Sequence, residues 1–196
     1  MNRRISILTF AIIIISGMAT IFSSCKKEDE VEKTLAIGDE YAGGIIFYLD
    51  NDDGGLVCAK TDQNGGNGIQ WSEAPHDNLT GATGIAVGTG QANTNKIVAN
   101  EGTSVNYAAR ICVELDLEGY TDWFLPSKEE LNLMYGNLHK ATPSIGNFQV
   151  EFYWNSTEND EGDAWLQEFN NEGGQYYNAK GSEFKVRAVR TFIKEQ

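Results

Sequence analysis

Thiols, imidazoles and clustered carboxylates are the groups in this sequence able to do chemistry. The cysteines are Cys25, Cys58 and Cys112, and the histidines are His76 and His139. A cysteine nucleophile needs a base beside it, usually histidine, and both histidines stand in polar stretches. No HExxH, GxSxG, CxxC or paired-histidine spacing occurs, so the patterns for zinc hydrolysis, serine hydrolysis and dithiol chemistry are absent. Asp and Glu together number 28, and at that density carboxylate pairs arise by chance. The reading is of a non-enzymatic chain with no cofactor beyond a candidate calcium ion.

That candidate is the oxygen-rich run Glu158-Asn-Asp-Glu-Gly-Asp163. Calcium takes carboxylate and carbonyl oxygens, so Glu158, Asp160 and Asp163 are the metal candidates, and a plain acidic hairpin is the alternative. Asp50 and Asp52 have calcium-loop spacing too, but Gly54 and Thr61 fall where further ligands belong, and a hairpin turn is the better reading. Gly88-Thr-Gly-Gln-Ala-Asn93 opens like a dinucleotide fingerprint, lacks the third glycine, and reads as loop. Around the acidic run stand Trp154, Asn155, Trp165, Tyr176 and Tyr177. These could stack on a sugar or a neighbouring protein, or be core residues.

The first residues concern location. Met1-Asn-Arg-Arg is a positive start, Ile5 to Phe22 is an apolar run, and Phe22-Ser-Ser-Cys25 closes it. This order reads as a secretory signal, with a transmembrane anchor as the alternative. The tetrapeptide resembles the lipobox of bacterial lipoproteins, with Phe22 where Leu is usual. The resemblance implies that Cys25 is acylated and becomes the mature N-terminus. Residues 25–34 are a charged tether, too poor in apolar side chains to fold. The lysine-then-acidic order after Cys25 resembles the surface-export signal of some Gram-negative lipoproteins. An outer-membrane lipoprotein, anchored in the membrane through its N-terminal lipid, is the expectation. In an exported protein the remaining Cys58 and Cys112 are expected to pair, with two buried free thiols as the alternative.

Positioning elements follow from composition and period. With 196 residues, 41% apolar and 22% charged, the chain suits one domain, residues 35–196, plus the leader and tether. Glycine outnumbers proline 21 to 3, which favours short strands and tight turns. Residues 45–49 and 56–59 read as a hairpin, and Ile69-Gln-Trp71 as a short strand. A helix is expected over about 104–117, with Val105, Ala108, Ala109, Cys112 and Leu115 on its apolar stripe. The clearest signal is Trp123-Phe-Leu-Pro-Ser-Lys-Glu-Glu130. Pro126 makes a corner, Ser127 and Glu130 form a capping box, and Leu131, Met134, Tyr135 and Leu138 share one helix face. Strand patterns at 151–157, 164–169, 175–178 and 184–192, separated by turns, predict an antiparallel meander.

Gly43-Gly-Ile-Ile-Phe-Tyr48, Gly55-Leu-Val-Cys58, Gly88-Thr-Gly-Gln-Ala-Asn-Thr94, the 119–131 corner, Tyr153-Trp-Asn-Ser-Thr157 and Val186-Arg-Ala-Val-Arg190 together resemble the Lcl C-terminal domain family. The resemblance spans nearly all of 37–192. It implies an α+β, C-type-lectin-like fold: two helices packed on small antiparallel sheets, with N- and C-terminal strands paired. Relatives often carry two further cysteines where this chain has Ser72-Glu73 and Asn100-Glu101, so that cross-link is absent. The Glu-Pro-Asn and Trp-Asn-Asp signatures of calcium-dependent lectins are missing as well.

Formal charge is −13 with a pI near 4.5, which disfavours nucleic acid and sulfated polysaccharide as partners. The expected function is a lipid-anchored envelope or surface protein that binds glycan or a partner protein. A structural or accessory subunit of an envelope complex is the alternative. An enzyme related to the formylglycine-generating fold is a third reading, through the similar Leu-Pro-Ser corner, and it lacks the catalytic cysteine pair.

Overall fold

The computed structural model describes residues 34–50, 54–170 and 172–194. Cys25, the leader and most of the tether lie outside the described residues. No helix among the described residues is long and apolar enough to cross a membrane.

The hairpin expected over 45–59 forms. Strands β1 (Glu40–Tyr41), β2 (Gly44–Leu49) and β3 (Gly54–Cys58) pair antiparallel in sequence order. Strand β7 (Val189–Ile193) joins β3 and completes a four-stranded sheet. The chain's last strand therefore leaves the meander in which the sequence pattern set it. The meander proper is β4 (Phe152–Glu158), β5 (Asp163–Glu168) and β6 (Gln175–Ala179), all antiparallel. A bridge from Tyr153 to Lys185 joins the segment before β7 to this second sheet, and one from Ile69 to Phe184 joins the same segment to the loop after β3. The mixed helices and antiparallel sheets make an α+β fold.

The period of two on β2 and β3 divides the core. Ile46, Val57 and Ala59 face one apolar cluster, with Trp71, Trp123, Trp154 and Cys112. Ile45, Phe47, Leu56 and Cys58 face the other, with Leu131, Met134, Leu138 and Phe169. The first sheet is thus buried on both sides.

The helices differ from the expected pair. Helix α1 (Gly90–Glu101) occupies a stretch that reads as loop, α2 is only Ala108–Val113, and α3 (Lys128–Met134) continues as a wider π turn over Tyr135–His139. Helix α2 is shorter than the 104–117 expectation at both ends, and the exposed Val105 lies before its start.

The two arginines of Val186-Arg-Ala-Val-Arg190 pin distant segments onto β7 and the residues that lead into it. Arg187, fully buried, sets Nε and Nη2 on Asp62 Oδ1 at 2.8 and 2.6 Å, and its Nη1 donates to the carbonyls of Ala59 and Gly146. Arg190 grips Asp122 through both carboxylate oxygens and stacks on Tyr120, with 3.9 Å between guanidinium carbon and ring centre. Paired and hydrogen-bonded in this way, a guanidinium can be held inside a protein.

Candidate functional site

At the Pro126 corner the expected capping box is formed. Ser127 Oγ accepts from the Glu130 N–H at 3.3 Å, and Glu130 Oε2 accepts from the Ser127 N–H at 2.7 Å. The second oxygen of that carboxylate accepts from the N–H groups of Gly88 and Gly90, at 2.7 and 3.4 Å. A glycine loop opening a helix is a ready anion site; here its anion is internal, the Glu130 side chain. Burial pushes the Glu130 carboxyl above its usual range, and the hydrogen bonds from Ser127, Gly88 and Gly90 work against that rise. Thr94 Oγ1 also bonds the backbone of Leu125, so the corner fastens α1 to α3.

Trp154 and Asn155, candidate ligand residues by sequence, are core residues. Both are fully buried, Trp154 Nε1 donates to the Ile69 carbonyl at 2.9 Å, and Asn155 Oδ1 accepts from the Thr157 N–H. The reason is that β4, though at the margin of its sheet, is covered. The N–H groups of Trp154, Ser156 and Glu158 donate to the carbonyls of Lys185, Pro126 and Ala82.

Glu158 belongs to a buried ion pair. Its Oε1 lies 2.8 Å from Lys180 Nζ, with the two side chains 1% and 0% exposed. Glu158 also accepts from the N–H groups of Thr80 and Gly81 and from Thr80 Oγ1. Lys180 Nζ donates in addition to the carbonyls of Asn78 and Glu161. All the polar capacity of the pair is turned inward. Asp160 Oδ1 accepts from the N–H groups of Gly162 and Asp163, closing the β4–β5 turn. Among the described residues no group of three or more His, Cys, Asp or Glu side chains is placed to hold a metal. The trio Glu158, Asp160 and Asp163 is therefore a buried pair member, a turn residue and the first residue of β5.

The disulfide expected between Cys58 and Cys112 is not formed. Both thiols are free and buried. Cys58 alternates to the side of β3 opposite Val57, whereas Cys112 packs in the cluster that Val57 faces. Burial pushes both thiols up, Cys58 to about 11, and keeps them in the unreactive protonated form.

The remaining candidates do come together in part. Trp165 and Tyr177 are directly opposite each other on β5 and β6, edge to face at 5.7 Å. Lys128 Nζ sits 3.2 Å from the centre of the Trp165 ring. Among the described residues that ammonium makes no hydrogen bond or ion pair, and burial pushes its pKa down. Tyr177 is 56% exposed. Tyr176 points to the other face, against Phe152 at 6.2 Å, and is 47% exposed. The surface platform is thus Lys128, Trp165 and Tyr177. Lys128 escaped the sequence reading because only the corner's geometry swings the first residue of α3 over β5. A cleft of about 350 Å³ between Tyr41, Tyr120, Phe192 and Ile193 lies elsewhere, and its cation, Arg190, is already engaged by Asp122.

No curated protein matches the chain. The family model described as the Lcl C-terminal domain matches residues 60–190. That range holds α1, the corner, the capping box, the β4–β6 meander and both arginines, and it leaves the β1–β3 strands outside. On that match, the chain belongs to the Lcl C-terminal domain family.

Proposed function

We propose that this protein is a non-enzymatic binding module of the cell envelope, anchored through lipid on Cys25, that recognises glycan or a partner protein with the outer surface of β5 and β6. The carrying observation is the Lys128–Trp165–Tyr177 platform, where a half-sheltered indole, an exposed phenol and a cation without a hydrogen bond or ion pair among the described residues share one surface. Aromatic faces of this kind give much contact area at low conformational cost. The absence of catalysis in this reading is supported by thiols held protonated within the core. We assign the C-type-lectin-like fold as well. The pairing of the last strand with the N-terminal hairpin and the second small sheet beside the helices support it. Calcium-bridged sugar binding is not part of this reading, since Glu158 is engaged by Lys180.

Two experiments test it. Cys25→Ala should move the protein from the membrane fraction to the soluble fraction; retention with membranes would contradict the lipid anchor. Glycan and peptide arrays probed with the full-length protein and with Trp165→Ala/Tyr177→Ala test the surface. Binding lost in the variant at unchanged thermal stability supports the platform, and equal binding contradicts it.

A further inference from the structure

We infer that the free edge of β6 adds a strand from a partner protein, and that the strand is extended and basic. This deepens the proposed function and rests on the β5–β6 surface being where partners bind.

The argument begins with the ladder. The Glu168 N–H donates to the Gly174 carbonyl and the Lys180 N–H to the Gly162 carbonyl. Bonded pairs in an antiparallel ladder recur at every second residue, so Tyr176 and Asn178 turn their backbone groups towards β5. Gln175, Tyr177 and Ala179 turn theirs outwards. The Ala179 position is closed: its N–H donates to Asn178 Oδ1 at 2.8 Å and its carbonyl accepts from the Ser182 N–H at 2.8 Å. Gln175 and Tyr177 have no such cover among the described residues. They present a donor and an acceptor each, spaced as one full ladder repeat.

Natural sheets blunt such edges with proline, lysine, bulges or a covering segment. Strand β6 reads Gln175-Tyr-Tyr-Asn-Ala179, runs in register with β5 throughout, and is exposed over most of its length. An edge of this kind fits strand addition, in which backbone bonds supply affinity and alternate side-chain positions supply selectivity. Tyr177 offers its ring on one face of the added strand and Tyr176 on the other.

Charge identifies the partner's chemistry. Asp160, Glu161 and Asp163 flank the Ala179 end of β6, and Glu168 and Glu172 flank the Gln175 end. The nearest lysine in sequence, Lys180, is consumed by Glu158, and Lys128 lies over Trp165. An acidic frame around an open edge steers a basic strand and repels a second copy of the same edge.

The test uses the full-length protein in detergent and a short synthetic peptide of alternating lysine and valine. Two controls accompany it: the same peptide N-methylated on alternate backbone nitrogens, which keeps its charge but cannot complete a ladder, and a glutamate–valine version. The expected result is slowed hydrogen exchange at the Gln175 and Tyr177 amides with the lysine peptide. N-methylation should weaken binding about tenfold or more, a loss of about 1.4 kcal/mol, and the glutamate version should not bind. Gln175→Pro, which removes an outward N–H from an edge position that tolerates proline, should weaken the lysine peptide likewise. No binding of the lysine peptide, equal binding of its N-methylated form, or protection elsewhere overturns the edge. Concentration-dependent protection of the same amides without peptide would assign the edge to a second copy and overturn the basic partner. Edge protection that survives Trp165→Ala would retain strand addition and remove the platform, so the two readings fail separately.

Discussion

The Glu73 N–H donates to the Glu101 carboxylate at 2.9 Å, tying the loop after Trp71 to the last residue of α1. Residues 73 and 101 fall at the two places where the family resemblance sets an additional cysteine pair in relatives. This chain joins the same two segments with a hydrogen bond. The substitution has a cost, because Glu101 Oε1 is buried with no hydrogen-bond partner among the described residues and the carboxylate sits at the negative end of the helix dipole.

Burial pushes the Glu101 carboxyl above its ordinary 4.5. A carboxyl that binds its proton more tightly folded than unfolded favours folding at low pH, and that contribution is lost as pH rises through the folded value. Glu101→Gln keeps an oxygen for the Glu73 N–H and carries no charge. It should melt higher than the wild type at neutral pH, with the difference shrinking as pH falls towards 4.5. Melting curves across that range check this; a variant less stable at neutral pH would show that the charge is needed.

Lys180 and Glu158 predict a non-additive pair. Lys180→Met leaves a buried carboxylate without its cation and should destabilise by about 3–5 kcal/mol. Adding Glu158→Gln to it should recover part of that loss. Urea unfolding of the two singles and the double gives the coupling directly, and strictly additive losses would contradict the pair.

Gly90 and Gly136 should respond oppositely to alanine. A Cβ at Gly90 would collide with the Glu130 carboxylate and crowd the Ser127 nitrogen and the Phe124 ring. Gly90→Ala should therefore cost about 1–3 kcal/mol through overpacking. Gly136 is exposed in the helical extension of α3 with nothing within 4 Å of the added carbon. Gly136→Ala should stabilise by about 0.5–1 kcal/mol through the unfolded chain. Thermal unfolding of the pair is sufficient.

Calcium should leave the melting temperature where chelator puts it. Glu158 is engaged by Lys180 and Asp160 Oδ1 by the turn's own N–H groups, whereas saturating a real site would add about 2.7 kcal/mol. A clear calcium shift would reopen the loop as a metal centre.

What the sequence discloses here is what is local. The Ser127–Glu130 box spans three residues and the β2–β3 hairpin one turn, so both are readable without knowing the fold. Helix α1 is hidden because its buried side includes Asn93 and Thr94, which satisfy Gly84, Ser156 and Leu125 by hydrogen bonding. A polar stripe has no hydrophobic period. Trp154 and Trp165 are alike in sequence context, and only the segments lying over β4 make one core and the other surface. Glu158 reads as a loop acid until Lys180, far along the chain, is folded against it. The separation of Cys58 from Cys112 is equally non-local, fixed by which side of β3 each one meets.

The contrast between those two tryptophans tests the central claim most directly. Trp154→Ala should cost about 3–5 kcal/mol of stability as a core deletion. Trp165→Ala should leave unfolding nearly unchanged. The decisive measurement is the Kd of the strongest array ligand for wild type and Trp165→Ala, taken beside their melting curves. The account predicts a Kd weakened about tenfold or more, about 1.4 kcal/mol, at nearly constant melting temperature. An unchanged Kd would place recognition away from the Lys128–Trp165–Tyr177 platform and contradict it.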